Sequence, residues 1–221
     1  MSNLTFLVLS GPTREYIDPV RFISNESSGK MGKAVSEEIL KRKYNLIFIT
    51  GPAEFPLKSS SNKLKTIKVI SAKDMFCAVK QNLKKADIII SAAAVSDFRV
   101  SRSKKHKIKK TGDKFILELV KNPDIIAYCA KNKKNKVIAG FALETQNLIE
   151  NARKKMQSKN LDLIVANTNE SFGADKTTVY ILKKNTPVLS IKNASKKEIA
   201  RRIIDETISI FKDIEADKNN S

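Results

Sequence analysis

The feature of the sequence that most constrains the fold is a regular alternation of short apolar runs with amphipathic segments. Apolar runs typical of buried strands lie at 6–9, 46–50, 88–90, 137–141 and 161–166. Segments with apolar residues at helical spacing follow several of these runs, and the first of them spans about 31–43. Since strands that alternate with helices usually pair in parallel, this pattern predicts a three-layer α/β fold with a mainly parallel sheet.

The last third of the chain adds a different pattern. Two runs rich in strand-forming residues, 178–182 and 188–191, flank the polar stretch 183–187 and predict an antiparallel hairpin at one edge of the sheet. Ser195 and Glu198 then have the spacing of a capping box before a long helix. We expect a single domain over 1–214 and a frayed tail over 215–221.

Local signals predict several shorter elements. Ser71 and Asp74 have the spacing of another capping box. The triplet Asn-Pro-Asp at 122–124 predicts a helix start with Asn122 as the N-cap and Pro123 in the first helical position. Further elements are expected at 64–70 (strand), 115–120 (strand) and 172–173 (start of a loop).

The chain carries a strong positive charge. Its formal net charge is +19 and its pI is near 9.9, which fits an anionic partner such as nucleic acid, an anionic membrane surface or small phosphorylated substrates. A lysine-rich, solvated surface explains the charge equally well. Hydrophobic residues make up 41% of the chain, which is enough for a core and argues against wholesale disorder.

The cysteines and the histidine limit the metal and redox chemistry that the sequence can support. Cys77 and Cys129 lie among apolar residues of predicted helices, where we expect both to be buried. The sequence has no CxxC pattern and a single histidine, His106, so we expect no zinc cluster. It also has no apolar run near the ~18 residues of a membrane span and no signal-peptide pattern, so we expect a cytoplasmic protein.

A long stretch between the first strand and the first helix has the character of an anion site. It reads Ser-Gly-Pro-Thr-Arg at 10–14, Asp-Pro-Val-Arg-Phe-Ile-Ser-Asn at 18–25 and Ser-Ser-Gly-Lys-Met-Gly at 27–32. Ser27, Ser28 and Gly29 precede the predicted helix start, where free N–H groups and the helix dipole attract anions. Gly29 and Gly32 would let a phosphate approach the backbone closely. A phosphate site and an ordinary capped connection both fit this local pattern, which is neither a Walker A loop nor a GxGxxG fingerprint.

Two further segments follow the apolar run at 88–90. The small residues Ser-Ala-Ala-Ala at 91–94 suit either a ligand lying flat on the backbone or close packing of a strand on a helix. The stretch 99–114 contains eight Lys or Arg residues and one acid, Asp113, without helical or strand periodicity. A flap that closes on a polyphosphate and a merely solvated segment both fit that composition.

Together these segments resemble one family, the phosphopantothenate–cysteine ligases (phosphopantothenoylcysteine synthetases) of coenzyme A biosynthesis, in their bacterial form. The resemblance rests on the runs at 18–25 and 27–32, on the Ala-Ala-Val-x-Asp strand end at Asp97, and on Lys-Ile-Lys-Lys at 107–110. It covers about 4–212, with Phe98 standing where many relatives have tyrosine. The resemblance implies a Rossmann-like fold, a homodimer with its active site near the interface, and a separate phosphopantothenoylcysteine decarboxylase as a pathway neighbour.

The resemblance also implies roles for particular residues. Asn25 and Lys107 are the predicted catalytic residues, with Asn25 at the substrate carboxyl and Lys107 on the nucleotide. Phosphopantothenate is predicted to contact Arg21, which reaches across from the neighbouring subunit, and Asn25, Ala93, Ala94 and Asp97. The predicted nucleotide-binding residues lie at strand ends, at helix starts and on basic segments: Gly11, Ser27, Gly29, Gly32, Ser91, Ala92, Ala93, Asp97, Lys107, Pro123, Asp124, Ile125, Ile126, Phe141, Lys155, Lys159 and Asn167. The local pattern alone also allows plain capping at 122–124, a core Phe141 and solvated lysines at 155 and 159.

The reaction implied by the resemblance has two steps. The carboxylate of 4′-phosphopantothenate attacks the α-phosphate of CTP, or of ATP, in the presence of Mg²⁺, and gives an acyl-nucleotidylate and pyrophosphate. The amine of L-cysteine then attacks the mixed anhydride and releases the nucleoside monophosphate. Two other classes stay open as alternatives: a nicotinamide oxidoreductase, for which the GxGxxG fingerprint is missing, and a nucleic-acid-binding protein, for which the chain offers only 6% aromatic residues and no stacking motif. We expect neither nucleic acid nor a membrane as a partner.

Overall fold

A large twisted sheet forms the centre of the structure, a computed structural model that describes residues 4–109, 112–168 and 176–219. The strands are β1 (Thr5–Pro12), β2 (Arg14–Tyr16), β3 (Phe22–Ser24), β4 (Asn45–Thr50), β5 (Leu64–Lys68), β6 (Ile88–Ala94), β7 (Phe98–Val100), β8 (Leu119–Lys121), β9 (Val137–Leu143), β10 (Leu163–Asn167), β11 (Lys176–Lys183) and β12 (Leu189–Ser195). The helices are α1 (Lys30–Lys41), α2 (Ala72–Asn82), α3 (Ile125–Lys131), α4 (Leu148–Ser158) and α5 (Lys196–Asn219), with a 3₁₀ turn at Leu83–Lys85.

The order of strands in the main sheet is β12-β11-β10-β9-β6-β1-β4-β5. The six strands from β10 to β5 pair in parallel, whereas β11 and β12 pair antiparallel at one edge. The chain winds outward from β1 to β5, returns to β6 beside β1, and winds outward again on the other side. This is the doubly wound order of Rossmann-like folds, so the predicted fold class is confirmed, including the edge hairpin.

The central strands place successive side chains in two opposite layers of the core. Phe6 and Val8 of β1 belong to the layer covered by α1 and α5, and Leu7 and Leu9 belong to the layer covered by α2, α3 and α4. All four side chains are fully buried. Because helices cover both faces of the sheet, the carboxyl ends of the strands are bordered by loops. Within the described residues, no helix combines the length and the apolar character needed to cross a membrane.

The termini of some predicted elements need correction. β8 forms only at Leu119–Lys121 and not over 115–120, because Phe115 and Ile116 are 57% and 90% exposed and so have no core to pack against. α5 continues to Asn219, so the tail expected to fray from about residue 215 is helical as far as the structure describes it. The loop expected at 172–173 lies outside the described residues. Both predicted capping boxes are confirmed, at Ser71 with Asp74 and at Ser195 with Glu198.

The two cysteines differ in their environment. Cys129 is fully buried, and this burial raises the pKa of its thiol to about 12. Cys77 is exposed, so the prediction that it is buried is wrong. Its neighbours Met75 and Val79 occupy the inward face of α2, and Cys77 falls on the outer face.

The stretch predicted as one long loop between β1 and α1 contains a small hairpin. β2 and β3 pair antiparallel, with Arg14 opposite Ser24 and Tyr16 opposite Phe22. A second small sheet pairs β7 with β8. Each of these strands has three residues, too few to show a period of two against the flanking polar residues.

Gly32 lies where α1 crosses β1, and its role in packing gives a testable prediction. A Cβ at this position would come within 2.2 Å of Ser10 Oγ and 3.2 Å of Ser10 Cα. We therefore expect Gly32→Ala to lower the free energy of unfolding by ~1–3 kcal/mol, since helix and strand must separate to accept the methyl group. Urea denaturation measures this, with Lys33→Ala, on the partly exposed face of α1, as the control. Equal stability of Gly32→Ala and the parent would contradict the packing role.

Candidate active site

The carboxyl ends of the parallel strands bring the predicted site residues together. β1 and β6 are adjacent, with Gly11 opposite Ala93, although the chain winds away from them in opposite directions. In the next two strands, Phe141 lies two residues before the end of β9 and Asn167 is the last residue of β10, at the same edge. In open α/β sheets, the crevice at such a switch point is the usual place for a ligand.

The first cavity at this edge has a volume of about 470 Å³. It lies between the end of β6, the turn before α3, and the face of α4. Its lining includes most of the predicted nucleotide-binding residues: Ser91, Ala93, Asp97, Pro123, Asp124, Ile125, Ile126, Phe141, Lys155 and Lys159. Segments far apart in the sequence therefore converge on one pocket, and their contacts with a nucleotide stay predictions.

Lys155 of α4 and Lys159, the C-cap of that helix, contribute positive charge to this cavity, as does Lys121. Lys155 Nζ donates a hydrogen bond to the backbone oxygen of Phe141 at 3.0 Å, and Lys159 Nζ lies 2.9 Å from Asp124 Oδ2. Burial and the neighbouring Lys159 lower the pKa of Lys155. The carboxylates of Glu144, Asp97 and Asp124 act in the opposite direction but do not outweigh this effect. Because a phosphate in this cavity would compensate the repulsion between the two ammonium groups, the pair is suited to an anionic ligand.

The start of α3 differs from the prediction in a way that shapes the cavity. Asp124, not Asn122, is the N-cap, and its side chain accepts a hydrogen bond from the backbone N–H of Ala127 at 3.0 Å. Burial alone would raise the pKa of Asp124, but the bonds from Ala127 and Lys159 outweigh it and lower that pKa. Asn122 instead donates from Nδ2 to the backbone oxygen of Ser96 at 2.8 Å. Asn122 thus joins the turn before α3 to the segment that follows β6.

A second, larger cavity of about 710 Å³ adjoins the first, and Asn25 lies on its wall. Asn25 Nδ2 donates a hydrogen bond to the backbone oxygen of Val95 at 3.0 Å, which leaves its second N–H for another acceptor. The other predicted residues on this wall are Ser27, Ala92, Ala93, Ala94, Asp97, Phe141, Lys155 and Asn167. The two cavities share Ala93, Asp97, Phe141 and Lys155 and so form one cleft.

The N-terminus of α1 faces a third cavity of about 130 Å³, lined by Ser27, Ser28, Gly29 and Asn167 among others. Gly29 is the N-cap, with a φ of +76° that favours glycine. A Cβ on Gly29 would also lie 2.8 Å from that of Ala53. Within the described residues, the N-cap Gly29 provides no side-chain cap for α1, and the first turn of the helix contains no acid. The N–H groups and the dipole of this helix start therefore favour an anion.

Four predicted residues lie outside the walls of these cavities, as far as the structure describes them. Gly11 and Gly32 are buried, and Gly32 packs on Ser10, so helix–strand contact accounts for that glycine. Lys107 is exposed, and Arg21 makes an ion pair with Asp18 at 2.7 Å. The structure thus does not bring Arg21 or Lys107 into the cleft of their own chain.

Several residues of the cleft were missed by the sequence analysis. Leu143, 45% exposed on β9, belongs to two of the cavities, and its exposure at a strand end is a signal that periodicity alone does not give. Phe98 is likewise 44% exposed beside Asp97. The remaining additions are Ser24, Glu26, Met31, Val95, Ser96, Lys121, Asn122, Val165, Thr177, Val179 and Lys196.

The sheet order, the cationic cleft at the switch point and the anion-attracting helix start define a Rossmann-like protein with a site suited to a phosphorylated ligand. The chain belongs to the DNA/pantothenate metabolism flavoprotein C-terminal domain family, whose sequence model matches residues 1–210.

Individual relatives agree with this membership. The chain is 41% identical over 216 residues to the coenzyme A biosynthesis bifunctional protein CoaBC of Haemophilus influenzae. The aligned region covers 96% of this chain and 53% of that protein. The chain therefore spans about half the length of the curated relatives it matches. The crystal structure of the C-terminal domain of CoaBC superposes with a TM-score of 0.81 at 34% identity, over 95% of this chain and 96% of that one. The Streptococcus pneumoniae DNA/pantothenate metabolism flavoprotein superposes with a TM-score of 0.83 at 26% identity, over 93% and 99% of the two chains.

Proposed function

We propose that this chain is a phosphopantothenate–cysteine ligase of coenzyme A biosynthesis, with CTP as the co-substrate. The observation that carries the proposal is the convergence of four separate segments, 91–98, 121–126, Phe141 and 155–159, on one cationic cavity. This cavity opens into the larger one that contains Asn25. Membership of the family and the match to the CoaBC C-terminal domain support the same activity.

The chemistry divides between the cavities. With the nucleotide in the first cavity, Lys155 and Lys159 offset phosphate charge while the pantothenate carboxylate attacks the α-phosphorus and pyrophosphate leaves. The acyl-nucleotidylate then lies in the larger cavity, where the free N–H of Asn25 can donate to its acyl oxygen. Attack by the cysteine amine breaks the acyl–phosphate bond, releases CMP, and leaves one proton to be lost from nitrogen.

Magnesium fits this site as an ion held mainly by the nucleotide. Among the described residues, no group of three or more His, Cys, Asp or Glu side chains is placed to hold a metal ion. Mg²⁺ commonly binds through substrate phosphates, waters and one or two carboxylates, and Asp97 and Asp124 are the carboxylates on the wall of the first cavity. The ion would supply charge neutralisation of the triphosphate.

We further propose a homodimer in the cytoplasm, with the decarboxylase as a separate neighbour in the pathway. Exposed apolar side chains concentrate on the two small sheets, with Tyr16 and Phe22 on β2 and β3 and Phe98 and Leu119 on β7 and β8. Such a patch is suited to contact with another protein surface. A free thiol substrate is also best preserved in a reducing compartment.

The activity is tested by pyrophosphate release in the presence of Mg²⁺. We expect release with CTP that requires 4′-phosphopantothenate, with slower release from ATP, and conversion to the cysteine adduct when L-cysteine is added. Parallel reactions without phosphopantothenate serve as the control. Release that is independent of phosphopantothenate, or the absence of release from either nucleotide, would rule out the ligase.

A further inference from the structure

Asp18 lies in the turn between β2 and β3 and has more hydrogen-bond partners than a turn requires. Its side chain is completely buried, although the turn itself is on the surface. Oδ1 accepts from the backbone N–H groups of Val20 and Arg21, both at 2.9 Å, which closes the turn. Oδ2 accepts from the Arg21 guanidinium at 2.7 and 3.0 Å, and also from the backbone N–H of Ile108 at 3.1 Å.

Arg21 forms a second hydrogen-bonded link between the β2–β3 turn and the backbone of Ile108. Its guanidinium donates to the backbone oxygen of Ile108 at 2.8 Å. Both backbone polar groups of Ile108 are thus bound by one ion pair that lies 87 to 90 residues earlier in the chain. We call Asp18, Arg21 and the backbone of Ile108 the clasp.

The clasp fixes the basic segment that contains Lys107. Two more hydrogen bonds join this segment to the same turn, from Lys104 N–H at 2.9 Å and from Ser103 Oγ at 3.4 Å, both to the oxygen of Ile17. Lys107, directly before Ile108, is exposed. The basic segment is therefore attached at two points, while the lysine that we assign to the nucleotide projects from it.

The charge on Asp18 suits this role. Burial alone would raise the pKa of its carboxyl group, but the hydrogen bonds from Ile108, Val20 and Arg21 outweigh burial and hold that pKa well below its usual range. The group is thus a carboxylate at neutral pH, and in this form it can accept a hydrogen bond from every one of these donors. An asparagine could close the turn through its Oδ1, but its amide nitrogen would face the donors of Arg21 and Ile108.

We propose that Asp18 is a positioning residue of the ligase: through Arg21 and the backbone of Ile108, it fixes Lys107 for contact with the phosphates of the nucleotide. This inference rests on the proposed function. It also assigns a physical connection to the Asp-Pro-Val-Arg run at 18–21 and the Lys-Ile-Lys-Lys run at 107–110, through the backbone of Ile108.

A double-mutant cycle tests the inference. We expect Asp18→Asn to slow phosphopantothenate-dependent pyrophosphate release by about tenfold, and to slow it less than about twofold further in a Lys107→Ala background, because residues that act through one group are not additive. An equal loss in both backgrounds, or no loss from Asp18→Asn alone, would overturn the proposal. If Asp18→Asn does not fold, Ile108→Pro removes the N–H donor from the exposed segment and replaces it in the cycle.

Limited trypsin digestion gives a readout that does not depend on the activity. We expect Asp18→Asn to raise cleavage after Lys107 at least about fivefold relative to cleavage after Lys58 in another exposed loop, since release of the clasp frees this segment. The matched control is Asp162→Asn, which removes a carboxylate that accepts from Lys133 and Ile138 at the amino end of β10, away from the carboxyl edge that carries the clasp, and it should change neither readout. Unchanged cleavage after Lys107 would disprove the clasp, whereas an inactive parent with normal clasp behaviour would disprove only the ligase.

Discussion

Replacement of Lys107 by alanine is expected to slow acyl-nucleotidylate formation strongly while leaving the fold intact. Loss of a charge-assisted contact to the transferring phosphate should raise the activation barrier by ~2–4 kcal/mol, by analogy with the loss of an oxyanion donor. Lys107 is exposed in an irregular segment, so we expect the melting temperature to stay within about two degrees of the parent. Pyrophosphate release and thermal melting measure the two effects.

Lys105→Ala is the control for this prediction, because it removes an exposed lysine from the same segment. It should lower the charge by the same amount and leave the rate close to that of the parent. If Lys107→Ala and Lys105→Ala slow the reaction equally, the segment contributes only general positive charge. If Lys107→Ala has the parent's rate, the segment is merely solvated and the assignment of Lys107 is wrong.

The position of Lys107 raises a question that a mixing experiment answers. Lys107 lies with Arg21 at the clasp and not on the walls of the cleft described above. With the clasp closed, Lys107 can therefore serve only the site of a neighbouring subunit, whereas contact with the cleft of its own chain would require the clasp to open. Mixed dimers of Lys107→Ala and Asn25→Asp chains distinguish these routes, since only service to the neighbouring subunit restores one complete site and with it part of the activity.

The roles of the strand-end residues were predicted from the resemblance, but their meeting at one edge of the sheet follows from topology. Ala93, Phe141 and Asn167 lie at the end of an apolar run or just after it, and the carboxyl ends of parallel strands meet at one edge of a sheet. The N-cap of α3 was not predictable in the same way. Asn122 and Asp124 are both residue types that favour the N-cap position. In the structure, the side chain of Asn122 instead bonds to the backbone of the distant Ser96, and Asp124 caps the helix.

The clasp shows the same limit of sequence reasoning more clearly. Asp18 and Arg21 are three residues apart, and their pairing is compatible with a local turn. Their bonds to Ile108 depend on how the segment after β7 returns to the β2–β3 turn, and no periodicity in 101–109 records that path. The basic composition of this segment allowed either a flap that closes on a polyphosphate or a merely solvated segment, and the structure adds that the segment is bound to the β2–β3 turn.

Asn25→Asp is expected to separate the two halves of the reaction. The second half develops negative charge on the acyl oxygen, so a neutral donor there has its largest effect in that transition state. The introduced carboxylate would present a negative acceptor in place of the N–H, and transfer to cysteine should slow by about 10²–10³. Quenching reactions that contain CTP and phosphopantothenate but no cysteine should still show the acyl-nucleotidylate. Adding cysteine should then consume it far more slowly than in the parent.

The control for Asn25 is a chemically matched substitution outside the cleft. Asn132 Nδ2 donates to the backbone oxygen of Tyr128 at 2.9 Å, as Asn25 Nδ2 donates to that of Val95 at 3.0 Å. Asn132→Asp therefore introduces the same charge and loses the same kind of bond, so it should leave both half-reactions unchanged. If Asn25→Asp slows the second step and Asn132→Asp does not, Asn25 is the residue that donates to the acyl oxygen. If Asn25→Asp turns over at the parent's rate, the residue only joins its loop to Val95, and another donor must stabilise the oxyanion.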